Sequence, residues 1–292
     1  MRYYLGFRML QNEVENFANL LEQATVYLAP YQEKIIVVKY GGNAMINEDR
    51  KKLVMQDILL LNQLGVKVVL VHGGGPEISQ GVKLLGKEPQ FINGLRVTDQ
   101  DTINVVLQML AGKVNKSLVA LLKGKGVGLC GIDANMLQCE KLQAEVDYGF
   151  VGEIVKVNTQ LLELALSANL IPVISTVGVD DQGVAYNINA DTVASEIAMA
   201  LGAAKLVSMT DIAGLLRDRF DESTLIPEVE VSEVQGLIDQ GIIAGGMIPK
   251  IACCTDFINA GGIEANIIDG RVPHAILVSL FGGKNGTLFY KK

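Results

Sequence analysis

Val68-Val69-Leu70-Val71-His72-Gly73-Gly74-Gly75-Pro76 is an apolar run closed by three glycines and a proline. Four apolar residues without polar alternation read as a strand buried on both faces, and the glycines turn the chain into the helical pattern that follows. A matching unit precedes it. Residues 35–38 form a β-branched run ending at Lys39-Tyr40-Gly41-Gly42, and residues 49–64 read as a helix stopped by Gly65. Further on, 101–123 looks helical, 171–175 is a buried strand, 191–201 is a helix closed by Gly202, and 206–209 is a strand ending at Thr210-Asp211. Repeated strand–loop–helix units make right-handed crossovers and a parallel sheet, with ligands at the carboxyl ends of the strands. The fold class is α/β.

The chain has 292 residues, enough for one large unit or two lobes. The polar turn Val179-Asp180-Asp181-Gln182-Gly183 offers a lobe boundary near residue 180. With 49% hydrophobic residues, 5% aromatics and no Trp, the core must come from Val, Ile, Leu and Ala. A net charge of −7 argues against nonspecific nucleic-acid binding. No apolar run approaches the ~20 residues of a membrane span. Residues 1–10 hold too short an apolar run for a secretory signal, so the chain reads as soluble and mature from its first residue. Cys130, Cys139, Cys253 and Cys254 form no CxxC, and His72 and His274 add no metal spacing. That pattern suggests a reducing compartment and no structural metal, with the adjacent Cys253-Cys254 as buried thiols of a helix. Near the start, Leu10, Val14, Phe17, Leu21, Ala24 and Leu28 form a helical stripe stopped by Pro30. Such a helix either lies on its own domain or pairs with a neighbouring subunit.

The chemistry concentrates in the loops. Glycine turns after two strands, at Gly41-Gly42 and Gly73-Gly74-Gly75, let backbone approach a ligand, and a following helix adds free N–H groups for an anion. One such turn is only a tight βα connection; two, one of them carrying Lys39 at a strand end, favour anion binding. Asn187-Ile188-Asn189-Ala190-Asp191 places amides and a carboxylate at a helix start, and Gly245-Gly246-Met247-Ile248-Pro249-Lys250 supplies a second lysine beside glycines. Two cations, a carboxylate to hold them and bare amides suit phosphoryl transfer, which needs positioning and electrostatics more than covalent chemistry. Arg96, in a polar glycine-containing loop, fits a bidentate clamp on a carboxylate, or else a solvated charge. His72 and His274 read as structural. No Walker A sequence is present. Gly126-Val127-Gly128-Leu129-Cys130-Gly131 matches G-x-G-x-x-G, but it follows a helical-looking stretch rather than a strand and opens no good helix, so it is rejected as a dinucleotide fingerprint.

Five motifs in register carry a resemblance: Lys39-Tyr40-Gly41-Gly42, His72-Gly73-Gly74-Gly75-Pro76-Glu77-Ile78, Asn93-Gly94-Leu95-Arg96-Val97-Thr98-Asp99, Asn187-Ile188-Asn189-Ala190-Asp191 and Gly245-Gly246-Met247-Ile248-Pro249-Lys250. Together they resemble the N-acetyl-L-glutamate kinases of the amino acid kinase family, in order over about residues 27–287, and look closest to cyanobacterial and plastid-encoded members. The resemblance implies an open αβα sandwich with a mostly parallel sheet. Residues 1–30 would form an oligomerisation helix, 31–180 an acceptor lobe and 181–292 an ATP lobe. It implies transfer of the ATP γ-phosphoryl group to the side-chain carboxylate of N-acetyl-L-glutamate, with Mg²⁺, in arginine biosynthesis. Lys39 and Lys250 would neutralise the moving group and Asp191 would orient both. Gly41 and Gly42 would face phosphate, while Gly74, Gly75, Arg96 and Asn187 would bind the acceptor. Thr210, Asp211, Gly245, Gly246 and Met247 would border the nucleotide.

The resemblance also implies a hexamer, as a trimer of dimers linked by the first helix, and a cytoplasmic or plastid-stromal location. Relatives in photosynthetic lineages bind the PII signalling protein, which makes it a possible partner. Arginine-inhibited relatives are similar at Gly270-Arg271-Val272-Pro273-His274-Ala275. The glutamate expected five residues after that histidine is Ser279 here, and the loop Gly282-Gly283-Lys284-Asn285-Gly286-Thr287 is altered. A lost carboxylate weakens a guanidinium contact. Two other readings stay open. One is a sister kinase for another acidic acceptor, such as N-acetyl-aminoadipate or glutamate, because a pocket separates one methylene by only ~1–3 kcal/mol. The other is a non-catalytic ligand sensor on the same fold, although a sensor has no need of both lysines and Asp191.

Overall fold

The apolar runs do become strands buried on both faces. The computed structural model describes residues 11–45, 47–283 and 285–292. Helix α1 (Gln11–Leu28) ends in a 3₁₀ turn carrying Pro30, so the proline stops the stripe; Leu10 and the rest of residues 1–10 lie outside the described residues. Strand β1 (Ile35–Tyr40), helix α2 (Glu48–Gln63), β2 (Lys67–His72) and α3 (Gly75–Leu84) repeat the strand–turn–helix unit. Asn47 starts α2 by accepting from the N–H groups of Asp49 and Arg50, and Gly65, at φ 87°, ends its connection to β2. A short hairpin, β3 (Phe91–Ile92) and β4 (Leu95–Arg96), precedes α4 (Gln100–Leu107), a π-helical segment (Gln108–Val114) and α5 (Asn115–Leu121).

Next come β5 (Gly126–Cys130), β6 (Leu137–Lys141), β7 (Gly152–Val157), α6 (Gln160–Ser167), β8 (Ile171–Ser175), β9 (Val177–Val179) and β10 (Ala185–Asn187). The chain continues through α7 (Ala190–Ala200), β11 (Lys205–Thr210), β12 (Glu228–Glu230), α8 (Val234–Asp239), α9 (Met247–Asn259), β13 (Glu264–Asp269), α10 (Ala275–Leu280) and β14 (Thr287–Tyr290).

Eight strands form the main sheet in the order β12-β14-β13-β11-β1-β2-β8-β5, parallel except where β13 meets β14. The chain before residue 180 supplies one half and the rest supplies the other, with β1 and β11 meeting at the centre. Alternate residues of one strand face opposite ways. Val37, Val69 and Val71 join one core with Leu162 of α6, Ile197 of α7 and Phe257 of α9. Ile36, Val38, Val68 and Leu70 join the other with Ile58 of α2, Leu118 of α5 and Ile276 of α10. The result is an αβα sandwich. A smaller sheet, β10-β9-β6-β7, lies beside it.

Two local features differ from the sequence reading. The helical stretch 101–123 is interrupted by the π-helical segment. The glycine pattern at 126–131 does not merely follow a helix: Gly126–Cys130 is itself the edge strand β5. A Cβ at Gly126 would meet Leu122 Cδ1 at 2.8 Å, and one at Gly128 would meet Lys116 Nζ at 2.6 Å. These glycines let α5 lie against the strand, and a 3₁₀ turn at Asp133–Asn135 follows rather than a phosphate-binding helix.

Candidate active site

Asp191 joins the two lysines. It lies in the first turn of α7, where Asn189 caps the helix by accepting from the N–H groups of Asp191 (2.8 Å) and Thr192 (3.4 Å). Its Oδ1 lies 3.0 Å from Lys39 Nζ, and its Oδ2 accepts from Lys250 Nζ at 2.6 Å. Lys39 is the penultimate residue of β1 and Lys250 lies in the first turn of α9, so residues 211 positions apart converge on one carboxylate. Ser208 of β11, which pairs with Lys39 across the sheet, donates to Asp191 Oδ1 at 2.9 Å. Helices α7 and α9 are held together by Ser195, whose hydroxyl donates to the Cys253 carbonyl at 2.9 Å.

The electrostatics follow from burial and partners. Burial alone raises the Asp191 carboxyl, but the Lys39 and Lys250 ammonium groups outweigh it and hold the group far below the ordinary carboxylate range. Burial pulls the Lys39 ammonium below its usual value, against the attraction of Asp191, with Lys250 adding repulsion. For Lys250, burial acts the same way, but Asp191 prevails and its proton is held more tightly than usual. The three form a tightly paired unit with one surplus positive charge.

One cleft of about 340 Å³ opens beside this unit. Lys39, Gly41, Gly42, Gly74, Gly75, Arg96, Asn187 and Asp191 all line it. The two glycine turns abut: Gly73 N–H donates to the Tyr40 carbonyl at 3.1 Å, and a Cβ on Gly41 would press Gly73 N at 3.4 Å. Gly42 has φ 65°, a left-handed value that glycine accepts readily. Arg96 is buried on β4. Its Nη2 donates to the Gly75 carbonyl and to Ser79 Oγ, both at 2.9 Å, and its guanidinium lies 4.5 Å from the Phe91 ring centroid. Its Nη1 is buried with no partner among the described residues, a donor still to be satisfied. Asn187 Nδ2 reaches Thr98 Oγ1 at 3.4 Å. Because Asn187 and Asp191 line this cleft from beyond residue 180, a boundary drawn at 180 passes through its wall.

A second cavity, of about 750 Å³, lies past the end of β11. Gly245, Gly246 and Met247 line it with Ile212, Leu215 and Ile242. Thr210 and Asp211 do not line either space: Thr210 is buried at the end of β11, its hydroxyl 3.4 Å from Asp211 Oδ1 and its carbonyl accepting from Gly270 N–H. Met247 and Lys250 share the first turn of α9, which links this cavity to the charged unit.

His72 and His274 lie away from the chemistry. His72 is fully buried; its Nδ1–H donates to the Gly73 carbonyl (2.8 Å), and its Nε2 accepts from Asn115 Nδ2 (3.1 Å). His274 pairs with buried Asp57 at 2.6 Å. Cys254 is buried and Cys253 half-buried. Ser208 and Phe91 are site residues that the sequence reading did not name, and Thr98 and Asn189 stood inside its motifs without a role of their own.

Residues 34–269 match the model of the amino acid kinase family. The chain is 99% identical over 284 residues to the acetylglutamate kinase of Actinobacillus pleuropneumoniae, covering 97% of this chain and 100% of that one. It is 70% identical over 282 residues to the acetylglutamate kinase of Haemophilus ducreyi, covering 96% and 99%. Both relatives are bacterial and lend no support to the likeness to cyanobacterial and plastid-encoded proteins. Among solved structures it resembles the N-acetylglutamate synthase of Neisseria gonorrhoeae in complex with coenzyme A and L-arginine, with a TM-score of 0.82 and 26% identity. That match covers 94% of this chain, which spans 66% of the synthase's length.

Proposed function

Because the chain belongs to the amino acid kinase family, we propose that it moves the γ-phosphoryl group of ATP to the side-chain carboxylate of N-acetyl-L-glutamate, giving N-acetyl-L-glutamyl 5-phosphate in arginine biosynthesis. The observation that carries this reading is Asp191 gripping Lys39 and Lys250 between a glycine-lined cleft and a larger cavity. The acceptor carboxylate is ionised at neutral pH, so its oxygen attacks the γ-phosphorus without a general base. The bond from that phosphorus to the β–γ bridging oxygen breaks, and ADP leaves with the electron pair. Repulsion between two anions opposes the approach. The lysines offset it, and Asp191 keeps both ammonium groups aimed at one point.

Within this reading, Arg96 and Asn187 hold the acceptor, with the free Nη1 of Arg96 pointing to a carboxylate ligand. Gly41, Gly42, Gly74 and Gly75 offer backbone to acceptor and phosphate. Gly245, Gly246 and Met247 border the nucleotide, and Thr210 and Asp211 lead into Ile212, which lines the same cavity. Mg²⁺, when bound, screens the phosphate charge. Both Asp191 oxygens are engaged by lysines and Ser208, so this carboxylate would not hold the ion, which would enter with the nucleotide. Residues 31–180 would serve mainly the acceptor and 181–292 the nucleotide. A cytoplasmic location fits a biosynthetic kinase. PII binding and a plastid location rest on the photosynthetic likeness alone.

Lys39→Ala or Lys250→Ala is expected to lower kcat about a hundredfold or more while circular dichroism stays native. A coupled ADP-release assay with N-acetylglutamate, glutamate and N-acetyl-aminoadipate reads both the loss and the acceptor. Near-normal kcat in both variants refutes the lysine roles, and preference for free glutamate moves the assignment to the sister kinase.

A further inference from the structure

The nucleotide-side cavity has an unusual mouth. Its inner walls are apolar, but at its rim Phe220 is 83% exposed, more than any other large apolar side chain among the described residues. The Arg219 guanidinium lies 4.5 Å from the Phe220 ring centroid. The loop bearing this pair is tied down by short-range bonds. Asp218 Oδ1 accepts from Phe220 N–H at 3.0 Å, and Thr224 Oγ1 accepts from Asp218 N–H at 3.0 Å. Thr224 Oγ1 donates to the Asp221 carbonyl at 2.6 Å, and Arg217 N–H donates to the Thr224 carbonyl at 3.1 Å. A fixed loop thus presents an aromatic ring to water, where it buries little against this chain. An exposed aromatic beside an apolar cavity marks a place where a flat ligand recovers that lost burial.

Met247, which lines the cavity, shares the first turn of α9 with Lys250, whose ammonium is held by Asp191. A molecule that fills it and meets the lysines is apolar and flat at one end and anionic at the other. We infer that Arg219 and Phe220 form a clasp that stacks on the base of the bound nucleotide and sets nucleotide affinity. This rests on the proposed reading of the cavity as the nucleotide site. Arg219 takes part of the Phe220 surface, and the 83% left exposed provides bare ring for a purine.

The test is calorimetric titration of the full chain with MgADP, together with steady-state kinetics. Phe220→Ala is expected to weaken MgADP binding about 5- to 150-fold, the range for a lost base–aromatic stack. Phe220→Trp retains affinity, and Phe220→Leu loses most of it, because leucine keeps apolar area but has no π-face. The KM for N-acetylglutamate and the Tm stay near wild type, since the ring packs on little of its own chain. Wild-type MgADP affinity in Phe220→Ala overturns the clasp and leaves the nucleotide site standing. If the wild-type chain itself binds no MgADP, the nucleotide reading fails and the clasp fails with it.

Discussion

Lys39 shows how much one residue's meaning depends on its neighbours. In the sequence it is a lysine at a strand end before two glycines, a common surface position. In the structure it is buried, and its pairing with Asp191 makes its charge tolerable there. The motif made the lysine a candidate; the carboxylate that explains it lies 152 positions away. Ser208 is the converse case. A serine inside an apolar strand carries no signal until β11 is placed beside β1 and its hydroxyl meets Asp191. His72 gives a residue-scale prediction. Burial depresses its pKa to about 4, while the unfolded chain protonates near the ordinary value of about 6.5. The unfolded state therefore binds the proton first as pH falls, and the stabilisation from a neutral buried ring is complete above pH ~6.5 and lost towards pH ~4. The loss from this group amounts to about 3 kcal/mol. Urea unfolding across that window is expected to show a shallower pH slope in His72→Gln than in wild type. Equal slopes remove the assignment.

At the scale of elements, the turn between β2 and α3 is wedged against the π-helical segment. A Cβ on Gly74 would meet Leu110 Cδ2 at 2.6 Å and Val114 Cγ2 at 3.2 Å, both on that segment. Gly74→Ala must push the two apart, and overpacking of this kind costs about 1–3 kcal/mol. Its Tm is expected to fall, and the acceptor KM to rise because Gly74 lines the cleft; a wild-type Tm and KM count against the wedge. The sequence announced the glycine triplet but not its reason. Periodicity marks a helix over 101–123 without revealing that its middle widens into a π-turn, because the difference is one of hydrogen-bond register and leaves the apolar pattern almost unchanged. The edge strand β5 was hidden for a related reason: its glycines remove the side chains on which a strand pattern depends.

For the molecule as a whole, α1 poses the remaining question. Leu28 is buried, but Val14 is 49%, Phe17 52% and Leu21 50% exposed, an apolar face that the other described residues leave uncovered. A second copy laid on that face would link dimers into the hexamer that the family resemblance implies. Light scattering of the full chain is expected to give six subunits, and Phe17→Asp two; a dimeric wild type disposes of the ring. The strand-and-glycine grammar and the residue types of the site were legible from sequence, because period, turn chemistry and charge are local properties of the chain. Tertiary structure alone decided that Lys39, Ser208, Asp191 and Lys250 meet, that one Arg96 nitrogen finds no partner among the described residues, and that Phe220 stands out over a cavity. Those facts come from which strands lie side by side and which loops face each other, and contacts between residues so far apart in the chain exist only once the sheet has formed.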